Sequence, residues 1–380
     1  MTRREWIAAN TFLFSTLAAC GRPKPTGFPG YALISTSADN SLSVVDLQDF
    51  SLLKPIPLGA PPTAVVSGRA VSYALTPASG SIHAIGSDLQ VLRSQKLADE
   101  LSEIRLTAGE QRLFAIAARS RQLIEADPET LTPLRRYPLS AEPVALAVCP
   151  TLSGEPYVAV CFARNGTVEL FNWATGRRFQ TRLPQPSGAV RFRGDGRVLL
   201  AVGAGVPVLT ALTVPALEVM VDLPLGMQPQ NLCFTPDGGQ LFISGRGMDA
   251  VAIVFPYNTI EVDETILAGR DPGVMACTPK PRSYLFVGSS SGSDVCILEV
   301  ATRTMVGVVD VEAIPAYIAI TPDNQYALIL DEAAGSMAVI RIPSIRGPWL
   351  NMARRSEASL FTMLPVGAKP VHAAIVPRRM

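Results

Sequence analysis

Few residues in this sequence have the type and spacing that chemistry requires. The chain has only two histidines, His83 and His372, too few for the many-histidine copper or haem sites of some proteins. Two glycine-rich segments, residues 244–249 and 288–294, lack the Lys-Ser/Thr pair that completes a phosphate-binding loop. We therefore predict no catalytic constellation, no metal and no cofactor, and we assign both histidines a structural role.

Three aspartates remain as candidates for chemistry, because each follows an apolar segment at an equivalent place in the chain. They are Asp195, Asp237 and Asp323, in the segments RGDGR, TPDGG and TPDNQ. Asp-Gly and Asp-Asn supply the positive φ angles that a tight hairpin needs, so turn formation explains these residues. Equivalent positions of a repeat meet at one end of a molecule, and the aspartates are therefore also candidate acids there.

The elements that must position these residues form a repeat. Prolines recur at an interval of 43 residues, at Pro143, Pro186, Pro229, Pro272 and Pro315. Each proline precedes an apolar strand, a turn and a second apolar strand, and two further strands complete the unit. Four short strands in about 40–45 residues are typical of an all-β propeller built from four-stranded antiparallel blades. The first strand of each unit is rich in Ala, Val, Cys and Thr, which suits a crowded central axis.

The two ends of the chain indicate how the ring closes. The first repeat begins directly with a second strand at Tyr31, whereas residues 371–377, VHAAIVP, form a lone first strand. Pairing of these ends would complete one blade. We therefore predict eight blades, with seven as the alternative if one unit is misassigned.

Units such as QPQNLCFTPDGGQLFISGRGMDAVAIVFPYNTIEVDETILAG resemble the YVTN-type β-propeller repeat. The resemblance covers nearly all of residues 31–380 and is closest from Gln228 to Leu330. The literal second-strand motif is replaced by YALIST, YVAVCF and LFVGSS. The resemblance implies an exported protein that binds other proteins. It also keeps open a hydrolase like the propeller lactonases, which use acids at one mouth of the central channel.

The first 30 residues predict export and lipid anchoring. Arg3 and Arg4 form a short positive region, residues 7–19 are apolar, and Leu17-Ala18-Ala19-Cys20 fits the bacterial lipobox. The arginine pair also resembles the twin-arginine motif, so the export route stays open. We predict a signal peptide at 1–19, a lipidated Cys20 with a flexible tether at 20–30, and one propeller at 31–380. The residue after Cys20 is Gly21 and not an aspartate, which would signal retention in the inner membrane. The sequence therefore favours the outer membrane.

The charge balance narrows the class of partner, and the spacing of the cysteines indicates the state of the thiols. Lys and Arg total 33 and Asp and Glu total 32, a balance that argues against a nucleic-acid binder. Beyond Cys20, five cysteines lie in apolar strand patterns without any C-x-x-C spacing, which predicts unpaired, buried thiols.

Residues 343–361, PSIRGPWLNMARRSEASLF, interrupt the last unit of the repeat. Insertions on a repeat scaffold often carry function, so we predict either a plain surface loop or a docking element using Trp349, Leu350, Arg354 and Arg355.

The favoured function is a monomeric, lipid-anchored, non-catalytic module that binds another protein of the cell envelope. The alternative is a lactonase-type hydrolase, or a propeller that binds a small ligand or metal through acids at the channel mouth.

Overall fold

The computed structural model describes residues 27–150, 156–345 and 360–378 of the chain. Strands, numbered β1 to β33 along the chain, form eight antiparallel sheets arranged as the blades of a ring. Within the described ranges only two short 3-10 helices occur, Pro77–Ser79 and Ile342–Ser344, and no helix is long and apolar enough to cross a membrane. The eight-bladed propeller predicted from the repeat is confirmed.

The first strand of every blade lies innermost, because these strands contact one another around the axis. They are β5 (Ala64–Ser67), β9 (Glu103–Leu106), β13 (Ala145–Val148), β17 (Ser187–Phe192), β21 (Gln228–Phe234), β25 (Pro272–Cys277), β29 (Pro315–Ile320) and β33 (Pro370–Pro377).

The second and third strands of each blade form its buried centre. The second strands are β1 (Gly30–Thr36), β6 (Ser72–Thr76), β10 (Leu113–Ala117), β14 (Tyr157–Cys161), β18 (Val198–Gly203), β22 (Leu241–Arg246), β26 (Tyr284–Ser289) and β30 (Tyr326–Asp331). The third strands are β2 (Ser41–Asp46), β7 (Ser81–Ile85), β11 (Gln122–Ala126), β15 (Thr167–Asn172), β19 (Val208–Thr213), β23 (Ala250–Val254), β27 (Asp294–Glu299) and β31 (Ser336–Arg341).

The outermost strands carry most of the exposed side chains. They are β3 (Ser51–Leu52) with β4 (Ile56–Pro57), β8 (Val91–Lys96), β12 (Pro133–Pro138), β16 (Arg178–Arg182), β20 (Val219–Pro224), β24 (Val262–Leu267), β28 (Thr304–Asp310) and β32 (Leu360–Pro365). In chain order, blades B to H comprise β5–β8, β9–β12, β13–β16, β17–β20, β21–β24, β25–β28 and β29–β32, and blade A comprises β33 with β1–β4.

Apolar runs rather than alternating patterns build the middle strands, because a neighbouring blade covers each face of a sheet. All five residues of β10, LFAIA, are buried, whereas five of the six residues of β12, PLRRYP, are exposed and only Tyr137 is buried. The apolar clusters accordingly lie between blades. One joins β18 and β19 of blade E to β22 and β23 of blade F. Each blade is therefore stable only as part of the ring.

Blade A closes the ring with both ends of the described chain. Strand β33 pairs antiparallel with β1 from Gly30↔Pro377 to Thr36↔Pro370, as the lone terminal strand predicts. Beyond the strand, the Arg378 guanidinium donates to the Tyr31 hydroxyl at 2.9 Å and forms an ion pair with Asp46 at 2.5 Å. The five cysteines of the described residues form no disulfide with one another; Cys149, Cys161 and Cys296 are buried, and Cys233 and Cys277 are half-buried.

Candidate functional site

The innermost strands enclose a central channel with two distinct faces. Every blade starts with its innermost strand and is related to its neighbours by rotation, so these strands all run in one direction along the axis. Their first residues lie at the end that we call the entry face. The hairpins that join first and second strands lie at the opposite end, the turn face.

The three predicted aspartates all lie in hairpins at the turn face, where each belongs to its own turn. Asp195 accepts hydrogen bonds from Arg193 Nη2 at 2.7 Å and from the Arg197 amide at 3.0 Å. Asp237 accepts from Thr235 and pairs with Lys280 Nζ at 2.8 Å, and Asp323 accepts from an amide two residues ahead. In the described part of the chain, no three or more His, Cys, Asp or Glu residues form a group that could hold a metal.

The charge on Asp237 is stabilised locally. Hydrogen bonds from Lys280 and Thr235 hold the pKa of Asp237 well below its usual range. A carboxylate held by these hydrogen bonds stabilises the local turn. Because it stays ionised, the geometry offers no direct support for acid–base chemistry at Asp237.

Charged side chains lie inside the channel on two innermost strands of blades C and E. Glu103 and Arg105 belong to β9, and Arg191 belongs to β17. Together with small residues of β13 they line a cavity of about 330 Å³ near the entry face. These three positions are exceptions in innermost strands otherwise rich in small and apolar residues, and the small residues Ala145 and Ala189 line the same cavity.

Arg105 and Arg191 differ in their partners. The Arg105 guanidinium forms an ion pair with Glu103, whose other oxygen accepts a hydrogen bond from the Leu146 amide at 2.9 Å. For the Arg191 guanidinium, no hydrogen bond or ion pair is found among the described residues. Arg191 is exposed to water in the channel; desolvation and then repulsion from Arg105 lower its pKa, and attraction to Glu103 partly offsets them. Among the described residues, Glu103 thus pairs closely with Arg105, while Arg191 makes no close ion pair.

Two stacked rings from blades H and A complete the polar lining of the channel. The Tyr317 and His372 rings lie 4.3 Å apart between centroids, with an angle of 32° between their planes. Burial, with a further contribution from the charge of Arg105, lowers the pKa of His372 to about 4, so its imidazole is neutral near pH 7. Burial raises the pKa of Tyr317, while both Arg105 and Arg191 act to lower it. The two arginines and the ring pair therefore belong to one electrostatic environment.

The thiols near this site are not prepared for chemistry. Burial raises the pKa of Cys233, on β21, to about 12, and raises that of Cys277, on β25, further still. Thiols in this state are not nucleophiles at neutral pH. The site is consequently suited to binding a negative group, with guanidinium as the recognising chemistry.

Sequence reasoning missed the main members of this site, namely Glu103, Arg105, Arg191 and Tyr317. A signal was present, because SEIRLT and GAVRFR carry charged residues where other first strands carry apolar ones. His372 was given a structural role, and it lies on the channel wall beside Tyr317.

The other predicted functional residues fall outside the described residues. These are Arg3, Arg4 and Cys20 of the leader, and Trp349, Leu350, Arg354 and Arg355 of the insertion. Leu360 and Phe361, which we placed in that insertion, instead belong to β32, where the Phe361 ring packs 5.7 Å from Tyr326. The docking function of the insertion stays a prediction.

Comparison with known proteins supports the fold and leaves the family open. No protein family and no curated protein matches the sequence. Among solved structures, the chain is similar to the dihydro-heme d1 dehydrogenase NirN in complex with DHE. The TM-score is 0.74 and the identity is 12%, over 91% of this chain and 75% of that one.

Two further structures are similar over most of their length. Hydrazine synthase of Kuenenia stuttgartiensis has a TM-score of 0.54 and 13% identity, over 72% of this chain and 94% of the other. A functionally unknown protein from Desulfotomaculum acetoxidans has a TM-score of 0.61 and 13% identity, over 92% and 100%. At these identities the similarity concerns the fold alone, and this chain is an eight-bladed β-propeller.

Proposed function

We propose that the protein binds a carboxylate-bearing small molecule in its central channel, with Arg191 as the principal contact. The observation that carries this proposal is the Arg191 guanidinium, which faces the channel, is exposed to its water and forms no close ion pair or hydrogen bond among the described residues, although the charge of Glu103 also acts on it. Arg191 is exposed to the water of the channel, so its guanidinium can donate to a ligand, and a carboxylate can form a bidentate, charge-assisted pair with it.

The surrounding residues are consistent with such a ligand. Arg105 adds a second guanidinium, whose charge Glu103 offsets, so this part of the channel keeps a net positive charge. The cavity of about 330 Å³ lies within the size range of small-molecule sites. The Tyr317–His372 pair offers aromatic surface to a planar group.

A haem-type macrocycle is the ligand class to test first. NirN, which has a similar fold, is a dihydro-heme d1 dehydrogenase. A haem-type ring is planar and carries carboxylates, which matches two guanidiniums near an aromatic pair. His372 fits an iron-bearing ring, because its imidazole is neutral and its buried Nδ1 lacks a hydrogen-bond partner among the described residues. When bound, such a group would supply redox chemistry, whereas the arginines would orient it.

The test is calorimetric titration of the protein with protoporphyrin IX and with its iron complex. Replacing Arg191 by Gln removes the charge and the bidentate donor, and should weaken binding about tenfold or more. Arg191→Lys keeps the charge without the planar fork and should give an intermediate affinity.

Arg177→Gln is the matched control, because Arg177 is exposed in the β15–β16 turn outside the channel. Equal affinities of the wild-type protein, Arg191→Gln and Arg177→Gln would refute a channel site at Arg191. Thermal unfolding of all variants shows whether each remains folded.

We also propose that the protein is exported and lipid-anchored on the periplasmic side of a bacterial membrane, with the outer membrane favoured. The support is the Leu17-Ala18-Ala19-Cys20 segment after an apolar stretch. Labelling growing cells with radioactive palmitate should label the wild-type protein and not Cys20→Ser. An unlabelled wild-type protein would contradict the anchor.

A further inference from the structure

The first described residues of the chain lie at the turn face. Strand β1 is the second strand of blade A and runs from the turn face to the entry face, so Gly30 and the residues before it lie at the turn face. The Gly27 amide donates to the Gln48 carbonyl at 3.0 Å, and a Cβ at Gly27 would overlap the Leu47 carbonyl oxygen. Phe28 is buried between blades H and A. The chain therefore enters the propeller at a fixed point on the turn face of blade A.

The length of chain between Cys20 and this point limits where a membrane anchor can lie. Residues 20–26 precede Gly27, and fully extended they span at most about 25 Å. Strand β33, with eight residues, crosses the ring from one face to the other over about 26 Å. A lipid on Cys20 therefore cannot hold the entry face against a membrane, because the chain would have to run outwards over blade A and then along its full height.

Exposed apolar side chains lie at the same end of the molecule. The outermost strand of each blade begins at the turn face, because successive strands of a blade are antiparallel. In blades G, H, A, B and C, a large apolar side chain is exposed at the first or second residue of that strand. These side chains, which we call the apolar arc, are Met305, Leu360, Leu52, Leu92 and Leu134. The five blades are consecutive, and blade A, where the chain enters, is the middle one.

A β-bulge accounts for the exposure of two members of the arc. Leu92 has no opposite residue in the pairing of β7 with β8, and Leu134 is skipped in the same way between β11 and β12. A bulge redirects the extra side chain, and Leu92 and Leu134 are 58% and 48% exposed. Exposed arginines, Arg93 and Arg135, follow them directly. Apolar side chains with adjacent cations suit the boundary between phosphate headgroups and acyl chains.

We infer that the turn-face margin centred on blade A rests on a lipid bilayer, with the apolar arc at the boundary between headgroups and acyl chains. This inference rests on the proposed lipid anchor and adds the surface of the propeller that meets the membrane. Burial of the arc in lipid adds apolar contact to the affinity of the acyl chains. The entry face, near which the charged cavity lies, then points away from the bilayer towards water.

Blade E, opposite blade A in the ring, supplies a matched control position. Met220 is the second residue of β20, has no opposite residue in the pairing with β19 and is 52% exposed, as Leu92 is in blade B. It differs from Leu92 in its distance from the point where the chain enters. The docked orientation leaves Met220 in water.

Quenching of fluorescent labels by lipid tests this orientation. The acylated full-length protein is purified from membranes and reconstituted into phosphatidylcholine vesicles containing a lipid with a nitroxide near its headgroup. A label on Leu92→Cys should be quenched at least about twofold more than a label on Met220→Cys or on Ala334→Cys, in the entry-face hairpin of blade H. Wild-type protein treated with the same label measures the background from the native thiols.

The contribution of the arc is tested with a label on Leu134→Cys. Replacing Leu52 and Leu360 together by Asp should lower its quenching at least about twofold, whereas Met220→Asp should leave it unchanged. Equal quenching at positions 92, 220 and 334, or no effect of the double replacement, would overturn the docked surface and leave the anchor in place. A wild-type protein that takes up no palmitate in growing cells would overturn the anchor and this inference together.

Discussion

At the scale of single residues, the two channel arginines show how similar positions acquire different roles. Arg105 has its counter-charge two residues away on the same strand, where Glu103 pairs with it. Arg191 has small and apolar neighbours on its own strand, Ala189 and Val190. A strand places residues i and i+2 on one side, so Glu103 forms an ion pair with Arg105, whereas the residue two before Arg191 is Ala189 and Glu103 acts on Arg191 only through its charge. The close ion pair of Arg105 therefore has a local origin in its own strand.

A buried carboxyl group, Asp331 at the end of β30, makes stability depend on pH. Asp331 has no exposed surface, and its Oδ1 has no hydrogen-bond partner among the described residues. Burial raises its pKa to about 7 from a usual value of 3.8, and the charges of Glu312 and Asp310 raise it further.

The direction of the effect follows from proton binding. Between pH 3.8 and about 7 the folded state holds a proton that the unfolded state has released, so the contribution to stability is present below pH 3.8 and is lost as pH rises through about 7. We expect Asp331→Asn to gain stability relative to the wild-type protein from pH 4 to pH 8, by on the order of 1 kcal/mol or more.

Urea denaturation of both proteins at pH 4, 6 and 8 measures this difference directly. Parallel stability curves for Asp331→Asn and the wild-type protein across that range would show that the carboxyl group is not protonated in the folded state.

At the scale of elements, the position of a strand within a blade decides how much its apolar side chains contribute. Leu33 in β1 is 1% exposed and belongs to the cluster that joins blades A and B. Leu92 lies in the outermost strand β8 and is 58% exposed. The same residue type thus occupies a site with neighbours on all sides and a site facing solvent.

We expect Leu33→Ala to lower the free energy of unfolding by about 2–5 kcal/mol, because it leaves a cavity in close-packed surroundings. Leu92→Ala should change it by less than about 0.5 kcal/mol, as is usual for surface positions. Urea denaturation monitored by circular dichroism measures both. Similar losses for the two variants would contradict the layered blade.

At the scale of the whole molecule, stability depends on how the ring is closed. Blade A takes β33 from one end of the chain and β1 to β4 from the other, so backbone hydrogen bonds join the two ends. Other interfaces between blades consist mainly of side-chain packing, as between blades B and C. A ring whose ends share one blade should open less readily than a ring whose ends merely abut.

Two circular permutants of residues 27–378, with the old ends joined by a short Gly/Ser linker, test this. One begins at Val198 and ends after β17, so blade E is again composed of both chain ends. The other begins at β17 and ends after β16, so no blade is shared. We expect the second permutant to have a lower urea midpoint. Its free energy of unfolding should be lower by on the order of a few kcal/mol. Equal stability would show that the shared blade is not needed for closure.

Much of the architecture could be predicted because it is encoded locally and repeated. The repeat marked by prolines and the blade completed by the two chain ends predicted eight blades, and the turn segments with Asp237 and Asp323 predicted the hairpins. A lone first strand at residues 371–377 predicted the pairing with β1. Most of these inferences need only the residues within one repeat unit. The closure of the ring needs one further observation, that the first unit lacks a first strand.

The sequence by itself determined the blades, their number and their order, because strand and turn signals are short-range. Only the tertiary structure decided the site. Arg105, Arg191, Tyr317 and His372 belong to four different blades, and no local pattern relates them. They share one channel because closing the ring turns the same strand of every blade towards a common axis. Residues far apart in the chain thereby come together, and the Arg191 guanidinium faces that axis without a close ion pair among the described residues.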